Sequence, residues 1–189
     1  MNKFKVAGLA MALGLSTNLY ASDFSYNYIN IAMGKTDSSD IDPSSSTGDY
    51  SSISGSFIFQ DALFFSLEST TYKFDAQDAE TLQFGVGAFT ATGSTTDLYG
   101  AVRIANSEVG AVDESGFQID VGLRNQLTSH VGIDGRVKYH DVFDESGMGY
   151  LLAARYYPAP QLSFGVGYEY MDFNENDMNT AFANFRYNF

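Results

Sequence analysis

Two histidines, His130 and His140, are the side chains best suited to shuttle protons near neutral pH, and His140 has an acid beside it at Asp141. Such a pair could act as a base and its orienting group if both side chains shared a face. On a strand they would not, because neighbouring residues point to opposite faces. His130 has no evident partner in the sequence. Asp172, Asn174, Asn176 and Asp177 offer oxygen ligands at a calcium-like spacing, yet no Gly or terminal Glu completes an EF-hand loop. No GxSxG elbow, HExxH pair or phosphate-binding glycine loop occurs. With no cysteine, disulfides and thiolate metal sites are excluded. These residues predict a non-enzyme with no cofactor, no catalytic residue and no metal site.

What the sequence does organise is charge along alternating segments. Phe117, Ile119, Val121 and Leu123 alternate with Gln118, Asp120, Gly122 and Arg124, and Val131, Ile133, Gly135, Val137 and Tyr139 alternate with Gly132, Asp134, Arg136, Lys138 and His140. A period of two gives each strand one apolar and one polar face. Extended along the chain, the pattern predicts ten strands, near 24–35, 50–60, 62–74, 81–91, 97–106, 115–125, 130–141, 147–157, 161–171 and 179–189. Composition agrees: aromatic residues make up 15% of the chain and 18 glycines accompany them, which favours strands and tight turns.

The start of the chain reads differently. Met1 to Lys5 carries two lysines, Val6 to Leu15 is apolar, and Ser16 to Ala21 ends in a small residue. This is the order of a secretory signal peptide, so residues 1–21 are expected to be removed and residues 22–189 to form one barrel domain. Past that segment no apolar run approaches the roughly 18 residues of a membrane-spanning helix, whereas strands of about 9–11 tilted residues can cross. The polar faces mix Gly and Ser with isolated Arg, Asp and Glu, unlike the solvent face of a soluble sandwich. Unpaired backbone groups are not tolerated in lipid, so the sheet must close. The expected fold is all-β: a closed, antiparallel, up-and-down transmembrane β-barrel of ten strands, with eight as the alternative.

In the ending AFANFRYNF, Ala181, Ala183, Phe185, Tyr187 and Phe189 share the apolar face and an aromatic residue is last. Together with the export segment and the strand pattern, this resembles the small outer membrane β-barrel proteins, the OmpA- and OmpX-like group. The resemblance implies outer membrane localisation, with Phe185, Tyr187 and Phe189 as the signal read by the barrel insertion machinery. It implies contact with outer membrane lipid and lipopolysaccharide, and it leaves function open, because the group holds anchors, adhesins, enzymes and narrow pores. The Asp141–His140 neighbours are loosely similar to the Asp-His pairs of omptin proteases, but a second acidic pair is missing.

The facing assignments sort the charges into two sets. Glu68, Arg103, Asp120, Arg124, Asp134, Arg136, Lys138, Arg155, Glu169 and Arg186 are expected to point inward as a charge network, with Asp120 nearly opposite Arg136 and Asp134 adjacent to Arg124. Sixteen of the 23 acids fall instead in five longer connections, expected to be surface loops around one mouth. The net charge of -13 argues against nucleic acid as a partner. The functional expectation is a monomeric, non-enzymatic envelope protein acting structurally or through its acidic extracellular loops. The alternatives are a narrow porin for small, cationic solutes and, more distantly, a surface hydrolase.

Overall fold

The computed structural model describes residues 24–38, 47–75, 77–142, 145–173 and 176–189; the side chains of Glu145, Phe173 and Asn176 are left aside. The expected export segment, residues 1–21, and most of the Ser-rich stretch after Asp37 lie outside the described residues. Alternation produces strands wherever it occurs: β1 (Tyr28–Ser38), β2 (Thr47–Gln60), β3 (Leu63–Lys73), β4 (Asp78–Ala91), β5 (Thr96–Val109), β6 (Val112–Thr128), β7 (Val131–Val142), β8 (Glu145–Ala159), β9 (Leu162–Phe173) and β10 (Asn176–Asn188). Each pairs antiparallel with its sequence neighbours, and β1 pairs with β10 from Tyr28↔Asn188 to Ser38↔Met178, which closes the barrel. The count is ten, so the eight-stranded alternative is set aside.

Two expectations need correction. The strand placed at residue 24 begins at Tyr28, because Phe24–Asn27 leaves the sheet: Phe189 N donates to Asn27 O at 3.0 Å and Ile58 N donates to the Asn27 side chain at 2.7 Å. This short segment turns into the barrel and puts Tyr26 out of contact with solvent. The second correction concerns the acidic connections, which are mostly strand. β5 and β6 meet across residues 110 and 111, with Gly110 in the left-handed conformation (φ 61°) that such a tight turn requires. Eleven of the sixteen acids lie within strands: Asp37, Asp49, Asp78, Glu80, Glu108, Asp113, Glu114, Asp141, Glu145, Asp172 and Asp177. Asp75 lies between strands, and Asp40, Asp42, Asp144 and Glu175 lie outside the described residues. Acidic residues have low strand propensity in isolation, but here the register of a long hairpin carries the ladder through them.

The outer wall is apolar on every strand. Met33, Phe57, Leu67, Leu152 and Val166 are each more than half exposed, and Phe185, Tyr187 and Phe189 extend the belt to the rim where Asn27 and Phe189 meet. A strand of 14 residues, such as β4, rises about 36 Å when tilted by ~40°, more than the ~25 Å of an apolar band. The surplus length lies at the acidic rim.

Inside, glycines give way to rings. Phe64 pairs with Gly87, Tyr99 with Gly122 and Phe182 with Gly167, and in each pair a Cβ on the glycine would collide with the ring opposite. The inward glycines make room for aromatic residues directly across the ladder. Gly122→Val is therefore expected to lower unfolding stability by about 1–3 kcal/mol. In a Tyr99→Ala background most of that cost should vanish, as read by a double-mutant cycle of urea unfolding in detergent.

Candidate functional site

The lumen is the site where ionisable groups converge, and it is filled in three layers. At the rim where Asn27 and Phe189 meet, Tyr26, Phe64, Tyr99 and Ala101 form a buried cluster joined by Phe24, Ile58 and Phe89. Tyr26 stacks on Phe89 with ring centroids 4.0 Å apart. Arg124 lies over the Tyr26 ring at 4.4 Å and over Tyr99 at 4.9 Å, and Arg186 lies over Tyr28 at 3.8 Å. Rings and guanidinium planes suit one another because the ring face is negative, an attraction that strengthens away from water. The N-terminal segment thus supplies a plug whose central ring is held by a lumen cation.

The middle layer is the charge network. Arg103 Nη1 meets Glu68 at 3.2 Å and its Nη2 meets Asp120 at 3.1 Å, while its Nε donates to Ser66 Oγ at 3.2 Å. Asp120 also accepts from Gln118 at 2.7 Å and lies 3.9 Å from Arg136. Arg124 donates to Asp134 at 3.1 Å, and Tyr99 OH donates to the other Asp134 oxygen at 2.9 Å. Lys138 and Glu169 form a further buried pair between β7 and β9. All ten expected network residues face the lumen.

The register corrects one detail. Asp120 is directly opposite Lys138, and Arg136 is opposite Gly122. The bulge between Gln126 and Thr128, followed by a turn at residues 129 and 130, sets this ladder. Asp134 does stand opposite Arg124. Asp120 therefore reaches Arg136 diagonally and Arg103 on the strand to its other side.

Two features of the site were not foreseen. Asp97, fully buried, stands opposite Arg124 across β5 and β6, so among the described residues five acids meet six cations in the charge layer, with half-buried Glu114 on the same inward phase nearer the acidic rim. Its even spacing from Arg103 is the available signal, obscured because residue 97 is the first residue of the predicted strand 97–106. The other feature is the aromatic content of the inward face. Near the acidic rim Tyr50, Tyr72, Phe74, Ala32 and Met178 form a second buried cluster, with Phe182 and Met171 packed against it. Between the clusters a cavity of about 60 Å³ remains.

The proton-shuttle candidates separate. His140 is 3% exposed, faces the lumen and stands opposite Gly147, whereas Asp141 lies on the outward phase of the same strand. His130, expected to be without a partner, has two: its Nδ1 is 2.8 Å from Ser129 Oγ and its ring stacks near Tyr156. Among the described residues no three His, Asp or Glu side chains are grouped to hold a metal ion.

The outward acids stand in register. Glu80 pairs with Glu108 and Glu108 with Asp113, and Asp172 pairs with Asp177. Like charges directly opposite one another repel at these spacings.

No protein-family model matches the chain, and no curated protein matches it. Solved structures do. The NanC porin is similar over 85% of this chain and 100% of its own, at 9% identity and a TM-score of 0.53. The KdgM porin is similar over 85% and 99%, at 9% identity and a TM-score of 0.51. Neisserial surface protein A overlaps more loosely, over 87% and 98%, with 19% identity and a TM-score of 0.43. The likeness to the two porins is one of fold, a closed antiparallel barrel.

Two outcomes follow from the charges. Asp120→Asn would leave Arg103 and Arg136 less well paired in a buried layer and is expected to cost about 3–5 kcal/mol in urea unfolding, far more than an exposed carboxylate would. Glu108→Gln, by contrast, removes the middle charge of an outward row and is expected to raise the thermal midpoint at low salt, with the gain shrinking as salt screens the row.

Proposed function

We propose that this chain is an integral outer membrane protein with a closed lumen, acting without enzymatic chemistry as an envelope structural element or through contacts made by its acidic rim. The observation that carries this reading is the filling of the lumen among the described residues: an aromatic plug at Tyr26, a paired charge layer, and an aromatic cluster at Tyr50 and Tyr72, with a cavity of about 60 Å³ between them. A solute path for sugars or peptides needs far more, since one water already occupies about 10–15 Å³ on this measure.

Localisation is supported by the outer wall and the export segment. An apolar belt on every strand belongs in lipid, where a closed barrel pairs its backbone internally. Phe185, Tyr187 and Phe189 are outward and exposed, available to insertion machinery. Acidic strand ends that rise past the belt would meet the lipopolysaccharide surface, and the structural role supposes a monomer. The rim, rather than long loops, is the contact surface in this reading: among the described connections the longest span four residues, 74–77 and 92–95.

The test is electrical. Refolded protein reconstituted in a planar bilayer is expected to raise no stable single-channel steps, and regular steps at modest voltage would sink the closed-lumen reading. Heat-modifiable migration on a gel checks the barrel in the same preparation, so an absence of current cannot be mistaken for failed refolding.

A further inference from the structure

We infer that the lumen binds one small monovalent anion of the halide class, held by Arg155, Arg186 and Asn184. Three neighbouring strands place these groups together: Arg155 and Asn184 both stand opposite Gly165, and Arg186 stands opposite Ser163, one inward position along. Gly165 contributes no side chain, and a Cβ there would meet Asn184 Oδ1 at 2.7 Å and Arg155 Cγ at 3.2 Å. The space in front of it belongs to Arg155 and the amide, with Arg186 on the next inward position of β10.

The hydrogen bonds orient the donors. Arg155 Nη1 donates to Asn184 Oδ1 at 2.6 Å and to Asn30 Oδ1 at 3.5 Å, so both amides turn their oxygens toward this guanidinium. That leaves Asn184 Nδ2 as a buried donor with no protein acceptor, and Arg155 Nε and Arg186 Nε are in the same condition. All three residues are at least nine-tenths buried, and all three line the 60 Å³ cavity. Arg186 is fixed by its stacking on Tyr28.

Charge gives the sign of the ligand. Arg103, Arg124, Arg136 and Lys138 each have a carboxylate within 4.0 Å, whereas among the described residues Arg155 and Arg186 have none. Among the described residues the lumen cations without a carboxylate neighbour are thus this pair. A buried charge without a counterion is costly, and amide oxygens compensate only part of it. Water could satisfy the donors but not the charge. A cavity that would take only a few waters suits a halide and excludes an oligosaccharide.

Bromide is the probe. Folded protein in detergent micelles would be titrated with sodium bromide against sodium gluconate at constant ionic strength, following the bromide resonance line width. Saturable broadening is expected. Asn184→Asp keeps the shape of the amide and supplies an internal carboxylate, so it should weaken the bromide response by roughly tenfold or more while raising the unfolding temperature in gluconate. Its folded state is verified by heat-modifiable migration. Crystals soaked in bromide should show an anomalous peak between Arg155 and Arg186. A linear, unsaturable response in the wild type overturns the site, as does an Asn184→Asp protein that binds bromide as the wild type does.

Discussion

Everything in this molecule depends on pairing the backbone in a place without water. A strand with an open edge in lipid leaves a row of N–H and C=O groups unsatisfied, each at a cost of several kcal/mol, so the sheet has no stable form except a closed one. The β1–β10 ladder meets that requirement over its whole length. Closure with ten strands fixes a narrow interior, and a narrow interior of alternating side chains must either hold water or be packed. This chain packs it.

The packing uses two kinds of side chain that tolerate one another poorly, and it separates them by height. Rings gather at either end, with Phe64, Tyr99 and Phe182 each laid across a glycine on the adjacent strand, while the carboxylates and most cations meet between them. Arginine joins the layers, since its planar head can stack on Tyr26 or Tyr28 and still donate in its own plane. Withdrawing charge from water is expensive, and the ion pairs around Asp120 offset that cost through several donors at once. Such a network fixes one arrangement of the strands that carry it.

The outer surface is divided by the same logic of solvent. Apolar residues cover the wall wherever lipid would touch it, and acids begin where the strands rise past that belt. Among the described residues long regular hairpins take the place of broad surface loops, so eleven of the acids are held on register-fixed positions. Glu80, Glu108 and Asp113 repel one another in that arrangement, a strain the ladder tolerates because each side chain also faces water.

Much of this was legible in the residues. Period-two alternation marked all ten strands, and parity alone sent Arg103, Asp120, Arg136 and their partners to one face, because the side-chain period of a strand is a local property of the backbone. Strand ends were less legible: Glu108 and Asp113 looked like loop because acids disfavour strands, yet their pairing comes from ladders that start many residues away. The inward turn of Phe24–Asn27 was also out of reach, although Phe24, Tyr26 and Tyr28 share the polar-face phase, since only the closed barrel creates the hole that Tyr26 fills. So the sequence by itself determined the architecture and the sorting of charge. Tertiary structure decided the rest, namely which cation meets which acid, that Asp97 joins them, and that Arg155 and Arg186 are left over. Those are distances across strands, set by register and closure, and no local pattern encodes them.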